Sequence, residues 1–283
     1  MLAPLQVTLA LLLSSQPASW SQPMEPFRIV DNVYDVGTVG LAAYLFVTPQ
    51  GDILLDGGLP SCAPLIEANI QKLGFKLSDV KVLLNSHAHF DHSGGLAQLK
   101  KDTGARLLAS EGDRSALEGG FYLGSEEDAS LAAPPVKVDA VIHDGETVTL
   151  GGFTITAHLT PGHTRGCTSW GWTAHDGGKS YEALVFCSAS IAANRLVERP
   201  QYAGIVADYR ATLAKAAKMK VEIFLAPHPE FFGLEAKRAK QKAGSPNPFV
   251  APGEFAAFIA QQTADFEQGL KDQEAKVSAA KVK

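Results

Sequence analysis

The chain has 283 residues, of which 46% are hydrophobic and 19% charged, the balance of a soluble globular protein with a packed core. A net charge of −5 at pH 7, with no basic cluster and no aromatic stacking platform, excludes nucleic acid as a partner. The three cysteines, Cys62, Cys167 and Cys187, leave at least one thiol unpaired within the chain.

In chain order, Leu5 to Leu13 is an apolar segment too short for a mature membrane anchor, and small residues follow from Ala18 to Ser21. A signal peptide over about residues 1–21 is expected, with cleavage between Ala18 and Gln22, export to the periplasm and no membrane attachment afterwards. Residues 22–283 are then long enough for one large domain. Phe27 to Val33, Tyr44 to Thr48 and Asp52 to Leu55 read as strands, and Ala63 to Leu73 has helical apolar spacing. A buried strand at Lys81 to Ser86 precedes a loop, and Gly94-Gly95 turns into a helix at Leu96 to Thr103. A strand at Arg106 to Ala109 and a short helix around Arg114 end the first half. The second half holds strands near Thr147 to Leu150, Phe153 to Leu159, Thr168 to Thr173 and Glu182 to Cys187. A helix at Val206 to Lys218, a strand at Val221 to Leu225 and an amphipathic closing helix from Glu254 complete it. Cys167 and Cys187 fall on strands that can be neighbours; their pairing stays open.

Four metal-capable side chains fall within six positions in His87-Ala88-His89-Phe90-Asp91-His92, directly after an apolar strand. Imidazole suits zinc and similar divalent metals, a carboxylate is the usual oxygen donor, and a catalytic zinc takes three protein ligands plus water. Two such sites need six ligands, and two further histidines stand at strand ends: His163 in Thr160-Pro161-Gly162-His163-Thr164 and His228 in Ala226-Pro227-His228-Pro229. The isolated His143, His158 and His175 read as surface or core residues. A second string, Ser78-Asp79-Val80-Lys81, matches the S-x-x-K of serine β-lactamases, but it leads straight into an apolar strand and no K-T-G follows, so it reads as inert.

The H-x-H-x-D-H string, the Thr-Pro-Gly-His-Thr turn and the later Pro-His resemble the metallo-β-lactamase superfamily, from about Pro26 to the closing helix. The resemblance implies an α/β fold, the αββα sandwich of two mixed sheets face to face with helices outside, and metals at the shared strand edge. It implies two zinc ions per chain, His87, His89 and His163 holding the first and Asp91, His92 and His228 the second. Asp91 also orients the attacking hydroxide, and Asp56, before Gly57-Gly58, partners a ligand histidine and fixes its tautomer.

Fold alone does not settle chemistry in this superfamily. Its thioester and lactone hydrolases carry a bridging aspartate at the end of the strand after the Pro-Gly-His turn, whereas here that strand ends Val185-Phe186-Cys187-Ser188-Ala189-Ser190. Ser190 and His92 match the third subclass of class B β-lactamases. Cys187 reads as a strand residue near the site, not a ligand. The expected reaction is zinc-dependent hydrolysis of the β-lactam amide of penicillins, cephalosporins and carbapenems without a covalent acyl-enzyme. Ser190 and Asn194 are candidate substrate contacts, Phe121 and Tyr122 a candidate wall, and a monomer is expected. The rivals are another zinc hydrolase of the fold, a lactonase or glyoxalase II, and a periplasmic zinc-binding protein. A closed structural site would fill four ligands per metal, where this count gives three.

Overall fold

A computed structural model describes residues 16–281. The apolar segment Leu5 to Leu13 lies outside the described residues. The first sheet has seven strands in chain order: β1 (Phe27–Val30), β2 (Val33–Asp35), β3 (Tyr44–Phe46), β4 (Asp52–Leu55), β5 (Val80–Leu84), β6 (Arg106–Ser110) and β7 (Ala140–Ile142). Pairing is antiparallel from β1 to β4 and parallel from β4 to β7. The second sheet runs β12 (Ile223–Leu225), β11 (Lys179–Val185), β10 (Thr168–Asp176), β9 (Phe153–Leu159), β8 (Thr147–Leu150). Only its β11–β12 pair is parallel. Both sheets are therefore mixed, as expected for the αββα sandwich.

Period-two alternation assigns the layers. Tyr44, Phe46, Ile53 and Leu55 face the core shared with Trp170, Trp172 and Val185 of the second sheet. Leu45 and Leu54 face the other way, onto α1 (Ala63–Lys72) and α3 (Leu96–Thr103), with α4 (Glu111–Gly119) on the same side. On the far side α5 (Ile205–Ala216) and α7 (Glu254–Lys281) cover the second sheet through Tyr209, Leu213, Phe255 and Phe266. Two segments, a hairpin and a helix, escape the apolar pattern. Phe27 to Val33, expected as one strand, is a hairpin bent at Asp31, whose φ is 49°, because Asp and Asn supply turn conformations that the flanking β-branched residues cannot. The helix α6 (Leu234–Lys242) buries only Leu234 and Lys237, too little apolar text for a periodic signal.

Cys167 and Cys187 form a disulfide, their Cα atoms 5.9 Å apart, and Cys62 is a buried thiol. Ser78 lies in a short turn at the entry to β5, the opposite end from the histidine string, and Lys81 donates to its carbonyl. Among the described residues no helix is long and apolar enough to cross a membrane.

Candidate metal centre

Three strand ends bring the six expected ligands together. His87 and His89 follow β5, whose four-residue continuation Asn85 to Ala88 is buried; His163 follows β9 and His228 follows β12. Asp91 and His92 lie on α2 (Phe90–Ser93), a single helical turn begun at His89. Its seat is a pair of glycine dipeptides. The Gly57 amide donates to the His92 carbonyl (2.8 Å), the Gly95 amide donates to the Gly58 carbonyl (3.1 Å), and a Cβ on Gly95 would collide with the Gly57 carbonyl. The strand-end Gly-Gly and the post-ligand Gly-Gly exist to let these two backbones touch.

The rings of His87, His89 and His163 stand 4.5 to 4.7 Å apart between centroids and form one cluster. His163 Nδ1 donates to the Ser190 carbonyl (2.7 Å), which leaves Nε2 for a metal, and His87 Nε2 is buried without a protein partner. In the second cluster, His92 Nε2 and His228 Nε2 face each other at 3.1 Å, with Asp91 Oδ2 at 3.2 and 3.4 Å from them. His87 and His92 are 4.4 Å apart, so the clusters adjoin. Five imidazoles and one carboxylate, with an orphaned nitrogen aimed into the group, suit zinc or another borderline divalent metal.

Electrostatics agree with that donor set. Burial, with the charges of His92 and His163, keeps the His87 imidazole neutral well below the ordinary histidine range, and burial and His163 do the same for His89. Burial brings His163 down to about 4. Burial opposes ionisation of Asp91, yet His92 and hydrogen bonds from His228 and His92 prevail and hold its carboxyl well below the carboxylate range. Neutral imidazoles at His87, His89 and His163 and the Asp91 anion offer a cation their lone pairs, while at His92 burial is outweighed by Asp91, which raises the imidazole above the ordinary histidine range, so a metal there displaces a proton.

The supporting residues differ from expectation in three places. Asp56, fully buried at φ 68°, accepts from the Ser86 amide (2.7 Å) and from Asn85 Nδ2 (3.1 Å) through Oδ1 and makes no hydrogen bond to an imidazole, so it anchors the start of the ligand loop. Asn194 is 3% exposed and its amide faces inward: Nδ2 donates to the His163 carbonyl (2.8 Å) and Tyr209 Oη (3.1 Å), and Oδ1 accepts from Tyr122 (3.0 Å). It braces His163, and both of its amide hydrogens are engaged within the protein. Phe121 and Tyr122 part company. Phe121 packs on the helical side of the first sheet, while Tyr122 stacks on His89 at 4.2 Å. Ser190 keeps a partly exposed hydroxyl 3.4 Å from His163 Nδ1. Cys187 lies two residues beyond β11 with Sγ 3.7 Å from His87 Nδ1, beside the site and tied up in the disulfide.

Two neighbours of the site carried no sequence signal. Trp20, inside the expected leader, sits 5.6 Å from the His228 ring and 6.3 Å from Phe90. Its carbonyl accepts from Thr38 Oγ1 and the Cys62 thiol. Asp113, in the first turn of α4, is a buried carboxylate whose pKa burial raises to about 6 against three opposing hydrogen bonds. Neither a tryptophan in small-residue text nor an aspartate in an acidic helix start distinguishes itself before the chain folds.

The profile of the Metallo-beta-lactamase superfamily matches residues 37–176. The crystal structure of BJP-1, a subclass B3 metallo-beta-lactamase of Bradyrhizobium japonicum, is 52% identical and superposes with a TM-score of 0.90 over 92% of this chain and 98% of that one. The FEZ-1 metallo-beta-lactamase from Legionella gormanii is 43% identical, with a TM-score of 0.86 over 89% and 98%. A hydroxyacylglutathione hydrolase of Rhodopseudomonas palustris (strain BisB5) is 32% identical over 121 residues, 43% of this chain and 39% of that protein. The chain thus spans about two fifths of the length of the curated relatives it matches. It belongs to the metallo-beta-lactamase superfamily. It is a metal-binding hydrolase of that superfamily, with subclass B3 enzymes as its structural neighbours.

Proposed function

We propose that the protein hydrolyses the amide bond of β-lactam antibiotics with two zinc ions per chain. The observation that supports this reading is the pair of adjoining three-residue clusters, with His92 beside Asp91 and His228 and no carboxylate at Cys187 to Ser190. Zinc held by His87, His89 and His163 and by Asp91, His92 and His228 supplies Lewis-acid charge and acidifies water. The protein's own part is positional. Ser190 and Asn194 hold His163 through its Nδ1 and carbonyl, Tyr122 holds His89 by stacking, and Asp91 orients the attacking water by accepting its hydrogen bond. Ser190 Oγ, beside His163, is the hydroxyl placed to meet a substrate carboxylate. No side chain is acylated.

Export to the periplasm, a role in antibiotic resistance and a monomeric state belong to the same reading. The rival is thioester hydrolysis, favoured by the partial matches to hydroxyacylglutathione hydrolases and opposed by the missing carboxylate. One assay separates them: purified protein with a cephalosporin, a carbapenem and a glutathione thioester, each with and without chelator. Chelator-sensitive turnover of the two lactams is expected. Turnover of the thioester alone would give the rival the field.

A further inference from the structure

We infer that Asp113 is a positioning residue for the first metal cluster: its buried carboxylate clamps the loop bearing His87 and His89 to the loop bearing His163. This rests on the metal-centre reading above. The first cluster is assembled from both sheets, since His87 and His89 leave β5 of the seven-stranded sheet while His163 leaves β9 of the five-stranded one. Three rings within 4.5 to 4.7 Å of one another therefore depend on how the two sheets are set across the sandwich.

Asp113 spans that join. Oδ2 accepts from the amide of Ala88, the residue between the two ligands, at 3.0 Å, and from Thr164 Oγ1, next to His163, at 2.8 Å. Oδ1 accepts from the Gly166 amide at 2.9 Å. The approach is close enough that a Cβ on Gly166 would strike the Asp113 amide and one on Gly112 the Arg165 carbonyl. Ser110 Oγ adds a bond to the Gly166 carbonyl at 2.6 Å. Among the described residues no ion pair joins Asp113, which is 2% exposed. Its charge is held by these three donors alone, and they come from the two ligand loops.

An amide in its place keeps the shape, loses one acceptor and turns N–H groups toward N–H groups. Partners behind metal ligands typically govern affinity by about tenfold to a hundredfold. The experiment measures zinc affinity by competition with a chromogenic chelator, and the absorption of the cobalt-substituted protein, in Asp113→Asn, Thr164→Val and Asp139→Asn. His89→Ala identifies the first-cluster equivalent. Asp139 is the structural control, a carboxylate that accepts from the Leu107 amide and Lys100 away from the ligands. Asp113→Asn should weaken the first-cluster equivalent by about tenfold to a hundredfold and alter its cobalt spectrum. Thr164→Val, losing one donor, should show the same change at about threefold to tenfold. Asp139→Asn should lower the melting temperature and leave both equivalents in place. Parental affinity and an unaltered spectrum in Thr164→Val and in any folded Asp113→Asn would overturn the clamp, as would losses matched by Asp139→Asn. A parent chain that binds no zinc would overturn the metal-centre reading itself, and the clamp with it.

Discussion

At the scale of single residues, the second cluster turns on Asp91, whose Oδ2 lies between two imidazole nitrogens at 3.2 and 3.4 Å. Asp91→Asn replaces the one anion of the donor set with an amide of the same shape. Folding should be retained and turnover of a carbapenem should fall by about 100-fold or more; parental turnover with both zincs bound would remove Asp91 from the centre. The neighbouring Ser190 works through its carbonyl, which any residue carries, and so Ser190→Ala should keep about two zincs per chain by metal analysis. His163→Ala should lose a full equivalent. Away from the metals, Asp35 is fully buried, with one oxygen accepting from the Gly37 amide and the other unpartnered. Burial lifts its pKa from 3.8 to about 7, against the Gly37 and Ala43 amides and Arg238. A carboxyl whose folded pKa is raised stabilises most below its unfolded value, near 3.8, and that stability is lost as pH rises through about 7. Asp35→Asn cannot ionise, so between pH 4 and 8 it should gain on the parent by something on the order of 4 kcal/mol. Parallel pH profiles in denaturant titrations would show that burial costs the Asp35 anion nothing.

At the scale of elements, the site depends on how α2 is seated. One turn of helix has no stability of its own, and here its carbonyl at His92 is fixed by Gly57 while Gly95 closes over Gly58. Gly95→Ala pushes a methyl into the Gly57 carbonyl, and the two backbones must separate. A stability loss of about 1–3 kcal/mol is expected, the range of overpacked interiors. Since the shift moves Asp91 and His92 relative to His228, the second zinc should weaken before the first. Calorimetric melting and metal titration check both, and an unshifted melt would mean the glycine pairs merely fill a turn. The strand β5 shows the same logic from the other side. Its apolar run carries Asn85 to Ala88 into the interior and leaves Ser78 at the far end, where the S-x-x-K string meets solvent and its own Lys81.

At the scale of the molecule, the N-terminal turn is part of the active face. The carbonyls of Ser19 and Gln22 accept from the Gly40 and Val39 amides, and a Cβ on Gly40 would press on Ser19 and Trp20. Within the expected cleavage window, a cut after Ala18 preserves Trp20 against His228, and a cut after Ser21 removes it. On the proposed export, the mature chain should begin at or before Ser19, which an intact mass measures; a start at Gln22 would leave His228 without its indole neighbour. The same packing shows why the two sheets must be mixed. Parallel strands β4 to β6 present their C-terminal ends together at one edge, and β9 and β12 end at the same edge from the second sheet, so ligands from both converge there.

The six candidate ligands that the fold brings together, the two-sheet order of elements and the layering of apolar residues were all legible in the chain. Ligand chemistry resides in residue type, and strand-end position follows from local apolar runs bounded by Pro and Gly. The edge strand β7 and the charged α6 were not legible, because three residues or a helix with one buried leucine leave no period to read. Nor were the disulfide, the inward turn of Asn194, the anchoring of Ser86 by Asp56, the stacking of Tyr122 on His89, or the Asp113 bridge. Each of these is a contact between segments 20 or more residues apart. Periodicity and motif report what a segment does by itself, whereas a buried polar group's role is set by which donor the fold brings within about 3 Å of it. That distance exists only once the two sheets have packed.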